Sequence, residues 1–257
     1  MARVFNFILG IFKLRLIKVS RIEEFDLFSS FYWNDPFLRL FKNPVEVSKL
    51  VKKSKSQIRQ DLFVISELNF KKNGYFVEIG AQNGIDGSNT YMLEKTFKWN
   101  GILCEPSRTY QNEIVKIRDC FIDNRCVWKV SNMEMEFVDC GKTGLSTLSE
   151  YALVGIHKEA RLKIEVDKYK VNSVTLNDLL EQHNAPKGID YISIDTEGCE
   201  LEILKVFDFI KWDVKIFTIE HNFDAFLRKN IYDLMDINGY VRIYEQISYQ
   251  DDWYVKI

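Results

Sequence analysis

Four short apolar runs, each closed by a glycine or an acid, constrain this chain more than any other feature: residues 75–80, 102–105, 190–195 and 214–220. Runs of this length, set between longer segments with helical spacing, read as buried strands. The segments between them fit helices at 88–99, 107–118, 175–183, 199–209 and 225–238, the last with Gly239 at its C′ position. Asn172 or Ser173 stands near the cap of the third. Alternation of this kind predicts an α/β fold with a mostly parallel sheet and helices on both faces. Residues 240–244 and 253–257 read as two closing strands, and their short connection predicts an antiparallel C-terminal hairpin. Residues 121–122, 125–130 and 135–138 read as a meander. Residues 140–170 lack a clear period and read as a loop-rich insert over the sheet.

At 257 residues with 46% hydrophobic side chains, the chain suits one α/β domain with a modest extension. A net charge of −2 gives no reason to expect a nucleic-acid groove. The five cysteines form no CxxC pair, so neither a zinc ribbon nor a disulfide framework is expected, and a reducing, cytoplasmic setting is the natural reading. The first twenty residues carry Arg3, Lys13, Arg15 and Lys18 and no acid. Their apolar run is too short to span a bilayer. It is read either as a peripheral contact with the inner face of a membrane or as a helix packed on the core or on another subunit of a homo-oligomer. Short helices broken at Asn34-Asp35-Pro36 and Asn43-Pro44 follow, and Ile58, Leu62, Ile65 and Leu68 mark one more. The division expected is a helical extension over 1–55 and a main domain over 56–257.

Polar residues at the strand ends carry the chemistry, because ligands of doubly wound sheets bind beyond the carboxyl ends of the strands. Glu78-Ile79-Gly80-Ala81-Gln82-Asn83-Gly84 is a strand-to-helix turn whose glycines let the backbone approach a ligand. Its spacing is not that of a pyrophosphate loop, and the acid before the glycine suits a ligand with a cationic amino-acid end. Glu105, closing the next strand about twenty-five residues on, can accept from both hydroxyls of a ribose. Asp195 and Glu197 close a strand that is otherwise almost wholly apolar, and face the same crevice as Gly80. Glu220-His221-Asn222 closes the next strand. His221 there is a candidate general base; Asp195, Glu220 and Asn222 are candidate oxygen ligands of a divalent cation such as magnesium; or the group only shapes the pocket. His157 and His183 have no supporting neighbours and read as surface residues.

These segments resemble the FkbM family of methyltransferases over residues 60–257. The likeness is carried by Gln60-Asp61-Leu62-Phe63-Val64, Phe76-Val77-Glu78-Ile79-Gly80-Ala81, Ser88-Asn89-Thr90, Trp99-Asn100-Gly101-Ile102 with Glu105-Pro106, Val174-Thr175-Leu176-Asn177-Asp178-Leu179-Leu180 and Asp195-Thr196-Glu197-Gly198. The resemblance implies a Rossmann-like class I methyltransferase sheet, S-adenosylmethionine as cofactor, and O-methylation of a hydroxyl, on a sugar of a glycan or on a small metabolite. It implies that Glu78, Gly80, Ala81, Gly84 and Asn89 form the methionine-end loop and that Glu105 holds the ribose. Asp195 would face the sulfonium or the acceptor, with Asp195, Glu220 and His221 as the catalytic candidates. Cys126-Val127 departs from the pair common in that family. Two competing readings are a nicotinamide-dependent oxidoreductase and an inactive, membrane-associated interaction protein.

Overall fold

A computed structural model describes residues 36–257. The expected membrane or subunit contact of residues 1–20 lies outside them, as do the expected short helices before Pro36. The chain divides into two compact units, one ending at Lys52 and one running from Lys53 to Ile257. The described part of the first holds a 3-10 turn, Pro36–Arg39, and a helix, Pro44–Ser48, that starts on its proline as the fixed φ of that residue favours. No helix among the described residues is long and apolar enough to cross a membrane.

The second unit contains eleven strands: β1 (Tyr75–Ile79), β2 (Asn100–Cys104), β3 (Phe121–Asp123), β4 (Cys126–Val127), β5 (Glu134–Asp139), β6 (Thr147–Leu148), β7 (Asp167–Val174), β8 (Gly188–Ile194), β9 (Asp213–Glu220), β10 (Tyr240–Ile243) and β11 (Asp251–Lys256). Seven of them make one sheet in the order β10-β11-β9-β8-β1-β2-β3. β3, β2, β1, β8 and β9 pair in parallel, and β11 and β10 add antiparallel, so the C-terminal hairpin forms as the sequence predicts. Phe76, Val77, Ile189, Tyr191, Ile192, Ile216 and Phe217 have no exposed surface. Strands covered on both faces read as continuous apolar runs, which is why they were visible in the sequence. The chain steps outward from β1 to β2 to β3, then returns to lay β8 on the other side of β1. Right-handed crossovers therefore place the helices after β1 and β2 on one face and the helix after β8 on the other.

The remaining four strands form a second sheet, ordered β4-β7-β5-β6. Two expectations are corrected here. Residues 140–170 are not only loop: β6, a short helix at Lys158–Arg161 and the start of β7 lie within them. Asn172 and Ser173 belong to β7 and do not cap the next helix. Thr175 does, its side chain accepting from Asp178 N–H. The alternation of exposed Lys168, Lys170 and Asn172 with buried Tyr169, Val171 and Ser173 is the strand signal in that stretch. The helix expected over 88–99 also begins later, at Tyr91, because Ser88, Asn89 and Thr90 turn back to bind Glu78.

The Gln60–Glu67 helix buries Leu62, Phe63, Val64 and Ile65. Phe63 stacks on Trp253 of β11 with ring centroids 4.7 Å apart, and Gln60 donates to Asp251 at 2.9 Å. Opposite charges pin the loop after β1. Glu78 accepts from Ser88 Oγ, Asn89 N–H and Thr90 Oγ1. Arg118, whose side chain has no exposed surface, donates to Glu94, to the carbonyl of Gly84, to Ser88 and to Thr90. Removing one partner of a buried charge network leaves the others uncompensated, which costs about 3–5 kcal/mol. Arg118→Ala should therefore lower thermal stability sharply by calorimetry, while a substitution at exposed Lys163 should not.

Candidate active site

The site lies where β1 and β8 part, the reversal point at which an open α/β sheet has its crevice. Gly80 leaves β1 with φ +84°, and a Cβ there would stand 1.8 Å from the carbonyl oxygen of Asp195. Only glycine allows this approach, so the two strand ends are held together by the absence of a side chain. Gly84 N–H bonds the Ala81 carbonyl at 2.8 Å and closes the turn.

Three hollows formed by the described residues meet at Asp195, which lines each of them. The first is a slot between β2, β4, β5 and β6, walled by Cys104, Cys126, Val127, Phe137 and Leu148 with Glu105 at its edge. Glu105 is buried and accepts from Gln82 N–H at 2.7 Å and Ser107 N–H at 2.8 Å. Burial pushes its carboxyl up to about 7 against the pull of those two bonds. Each oxygen keeps a lone pair, so the group can still accept from two hydroxyls.

The second hollow is small and lies over the glycine turn, bounded by Glu78, Gly80, Ala81, Gln82, Asn89 and Asp195. Asn89 donates its amide to Ser193 at 2.9 Å, while its buried Oδ1 has no partner. A buried acceptor without a donor costs free energy unless a ligand supplies one. Glu78, by contrast, is spent on the loop that it anchors. The apolar slot, the hydroxyl-accepting Glu105 and the orphaned acceptor of Asn89 fit the adenine, ribose and ammonium of S-adenosylmethionine in that order.

The third hollow is polar. Gln57, Gln82, Gln250, Thr143 and Asn222 surround it with Asp195, Glu197 and Glu220 at its base and Phe223 and Ile156 on its wall. One oxygen from each of Asp195, Glu197 and Glu220 falls within 4.8 Å of the others. Asp195 and Glu220 lie close enough to share a proton once one of them is protonated. Burial, and then the charge of Glu197, pushes Asp195 up to about 8. Glu197 rises to about 7 through burial, although Arg161 opposes it. Burial and its acidic neighbours raise Glu220 well above the usual carboxylate range, and burial raises nearby Asp251 to about 8.

Asn222 turns its amide nitrogen to Glu220 at 2.7 Å and to Glu197 at 3.3 Å, and its oxygen toward His157 at 3.3 Å. As placed it is a donor to the carboxylates, and the oxygen that converges with those of Asp195 and Glu220 comes from Glu197, not from Asn222. His221 is not placed as a base. Its Nδ1 accepts from Phe223 N–H at 3.1 Å, its Nε2 faces Asp252 at 3.8 Å, and burial lowers its pKa.

Two histidines expected at the surface have partners. His183 bonds Asp123 at 3.0 Å, and His157 lines the polar hollow beside Asn222 and Glu197. Arg161 was missed altogether. Nearly buried, it ties the insert to the site through the Leu145 carbonyl and Glu197, each at 2.8 Å. Nothing in the local sequence marks an arginine whose partners lie sixteen and thirty-six residues away.

Over residues 78–242 the chain matches the family described as the methyltransferase FkbM domain. The match spans more than half of the chain, which therefore belongs to that family. No curated protein matches it by sequence. A solved structure from Pyrococcus horikoshii, titled as a candidate RNA methyltransferase, is 9% identical with a TM-score of 0.40, over 84% of this chain and 85% of that one. At that distance it carries nothing about fold or activity.

Carboxyls raised by burial bind more protons in the folded than in the unfolded state. The stability they contribute is present below their ordinary range and is lost as pH rises through about 7–8. The melting temperature should fall between pH 5.5 and 8.5, and Asp195→Asn should flatten that fall and raise stability at pH 8. A melting temperature that climbs with pH would contradict the burial of these acids.

Proposed function

We propose that this FkbM-family methyltransferase uses S-adenosylmethionine and methylates a hydroxyl of a sugar, in a glycan or a small glycoside. The observation that carries the reading is the position of Asp195, which lines the cofactor hollows and the polar hollow alike. Amides and acids around one aromatic wall are the groups that recognise a ring of hydroxyls, each side chain accepting or donating in turn. The family match favours methyl transfer over the nicotinamide-dependent alternative.

When bound, S-adenosylmethionine supplies an electrophilic methyl carbon on a sulfonium. Glu105 would hold the ribose hydroxyls and the unpartnered Oδ1 of Asn89 the ammonium. Gln57, Gln82 and Gln250 would hold the sugar, beside the 140–170 insert that Arg161 staples to the site. Alignment of the reacting atoms is the main contribution, worth several kcal/mol. Asp195, whose carboxyl burial raises to about 8, would take the proton that the acceptor hydroxyl loses. Glu220 returns a hydrogen bond to Asp195 and shares the proton.

The convergence of Asp195, Glu197 and Glu220 favours one second reading, in which these oxygens hold a divalent cation such as magnesium. Turnover that survives chelation with EDTA supports Asp195 as the base; turnover lost to EDTA and restored by magnesium supports the cation.

Transfer of labelled methyl from S-adenosylmethionine to a panel of monosaccharide glycosides tests the activity. Asp195→Asn should lower kcat by about 10²–10⁴, and kcat/KM of the wild type should rise from pH 6 to a plateau above about 8. No transfer to any glycoside would overturn the sugar assignment. Glu105→Gln should weaken S-adenosylhomocysteine at least about tenfold by calorimetry. Wild-type affinity should fall as pH drops from 8 to 6, because Glu105 must be ionised to accept twice.

A further inference from the structure

The polar hollow does not end at Phe223. It continues into a wider groove, with which it shares Ile156, His157, Glu197, Asn222 and Phe223. The chemistry changes along the way. Past Phe223 the walls become Val154, Leu201, Phe226 and Leu227. Phe223 is 61% exposed, Phe226 78%, Val154 56% and Ile156 55%. Single exposed apolar residues need no explanation, but several at one groove mark a binding surface.

The backbone is strained to keep one of them there. Asn222 and Phe223 take φ values of +48° and +58°, which bulky residues seldom adopt. Four bonds hold that turn: His221 N–H and Asn222 N–H to the Gln250 carbonyl, Phe223 N–H to His221 Nδ1, and Asp224 N–H to the His221 carbonyl. The strain holds a phenyl ring in solvent at the junction of the two hollows. Two buried lining residues also carry unmet hydrogen bonds, Glu200 at Oε2 and His221 at Nε2. Since Nδ1 of His221 accepts, its Nε2 carries the hydrogen.

We propose that this groove binds the apolar aglycone of the methyl acceptor, so that the acceptor is an alkyl or aryl glycoside. Its sugar lies in the polar hollow, and its apolar body lies over Phe223 and Phe226. The assignment rests on the sugar O-methylation reading and adds the half of the acceptor that does not react. Continuity with the polar hollow identifies the occupant, since a ligand seated there can extend past Phe223 along the wall that the two hollows share.

The test is calorimetric titration of the full chain, saturated with S-adenosylhomocysteine, with matched octyl and methyl glycosides below the micellar concentration. Glucosides, galactosides and rhamnosides form the panel. Each methylene buried is worth about fourfold in affinity, so the octyl member of at least one pair should bind more than about tenfold tighter. In the double variant Val154→Ser/Phe226→Ser, whose positions are largely exposed, the octyl-to-methyl ratio should fall towards one. Equal affinities, no binding by any pair, or a ratio unchanged in the variant would overturn the proposal. Sedimentation with phosphatidylcholine–phosphatidylglycerol vesicles in place of any octyl preference would also overturn it and make the groove a membrane contact. Octyl preference without methyl transfer to any glycoside supports the subsite and removes the sugar-methylation reading. Transfer without octyl preference removes the subsite alone.

Discussion

The site depends on the contact between Gly80 and the backbone of Asp195. β1 and β8 are neighbours in the sheet, and their connections leave in opposite directions. A crevice opens there only if the two strand ends stay together while their following loops part. The missing Cβ at Gly80 permits the first, and the positive φ turns the chain to permit the second. Asp195 then projects from β8 into the crevice, Glu105 from β2 borders it, and Glu220 from β9 closes the base. Any side chain at position 80 would push β8 away and pull the three acids out of register.

The acids on either side of this contact obey opposite rules. Glu78 and Glu94 are compensated by Arg118 and by hydrogen bonds, so they stiffen the loop. Glu105, Asp195, Glu197, Glu220 and Asp251 sit in or beside the crevice, and among the described residues Arg161 is the one arginine or lysine paired with any of them, on Glu197. Such crowding costs stability, and charge unbalanced within a protein is a sign of function more often than of structure. A positively charged sulfonium would find its best electrostatic position there. The same crowding keeps a carboxyl near neutral pKa, where it can take a proton from a hydroxyl.

The main sheet was legible because strands buried on both faces spell out their own burial. Gly80, Glu105, Asp195 and Glu220 were legible because a polar residue at the end of an apolar strand has few structural uses. The second sheet was not read as one: β7 alternates over only eight residues, and its partners are more than twenty residues distant or only two residues long. Arg118, Arg161 and His157 owe their roles to partners brought in by the fold, and a charged residue looks the same in sequence whether buried or solvated. His221 shows the converse. The sequence places it beside the site, while a single backbone N–H on Nδ1 removes it from the chemistry.

A crystal structure of the chain with S-adenosylhomocysteine tests the central claim most directly. The account predicts the ribose hydroxyls on Glu105, the adenine between Cys126 and Phe137, the ammonium on Asn89 and the sulfur beside Asp195. A ligand bound elsewhere, or one that leaves Glu105 and Asn89 untouched, would contradict it.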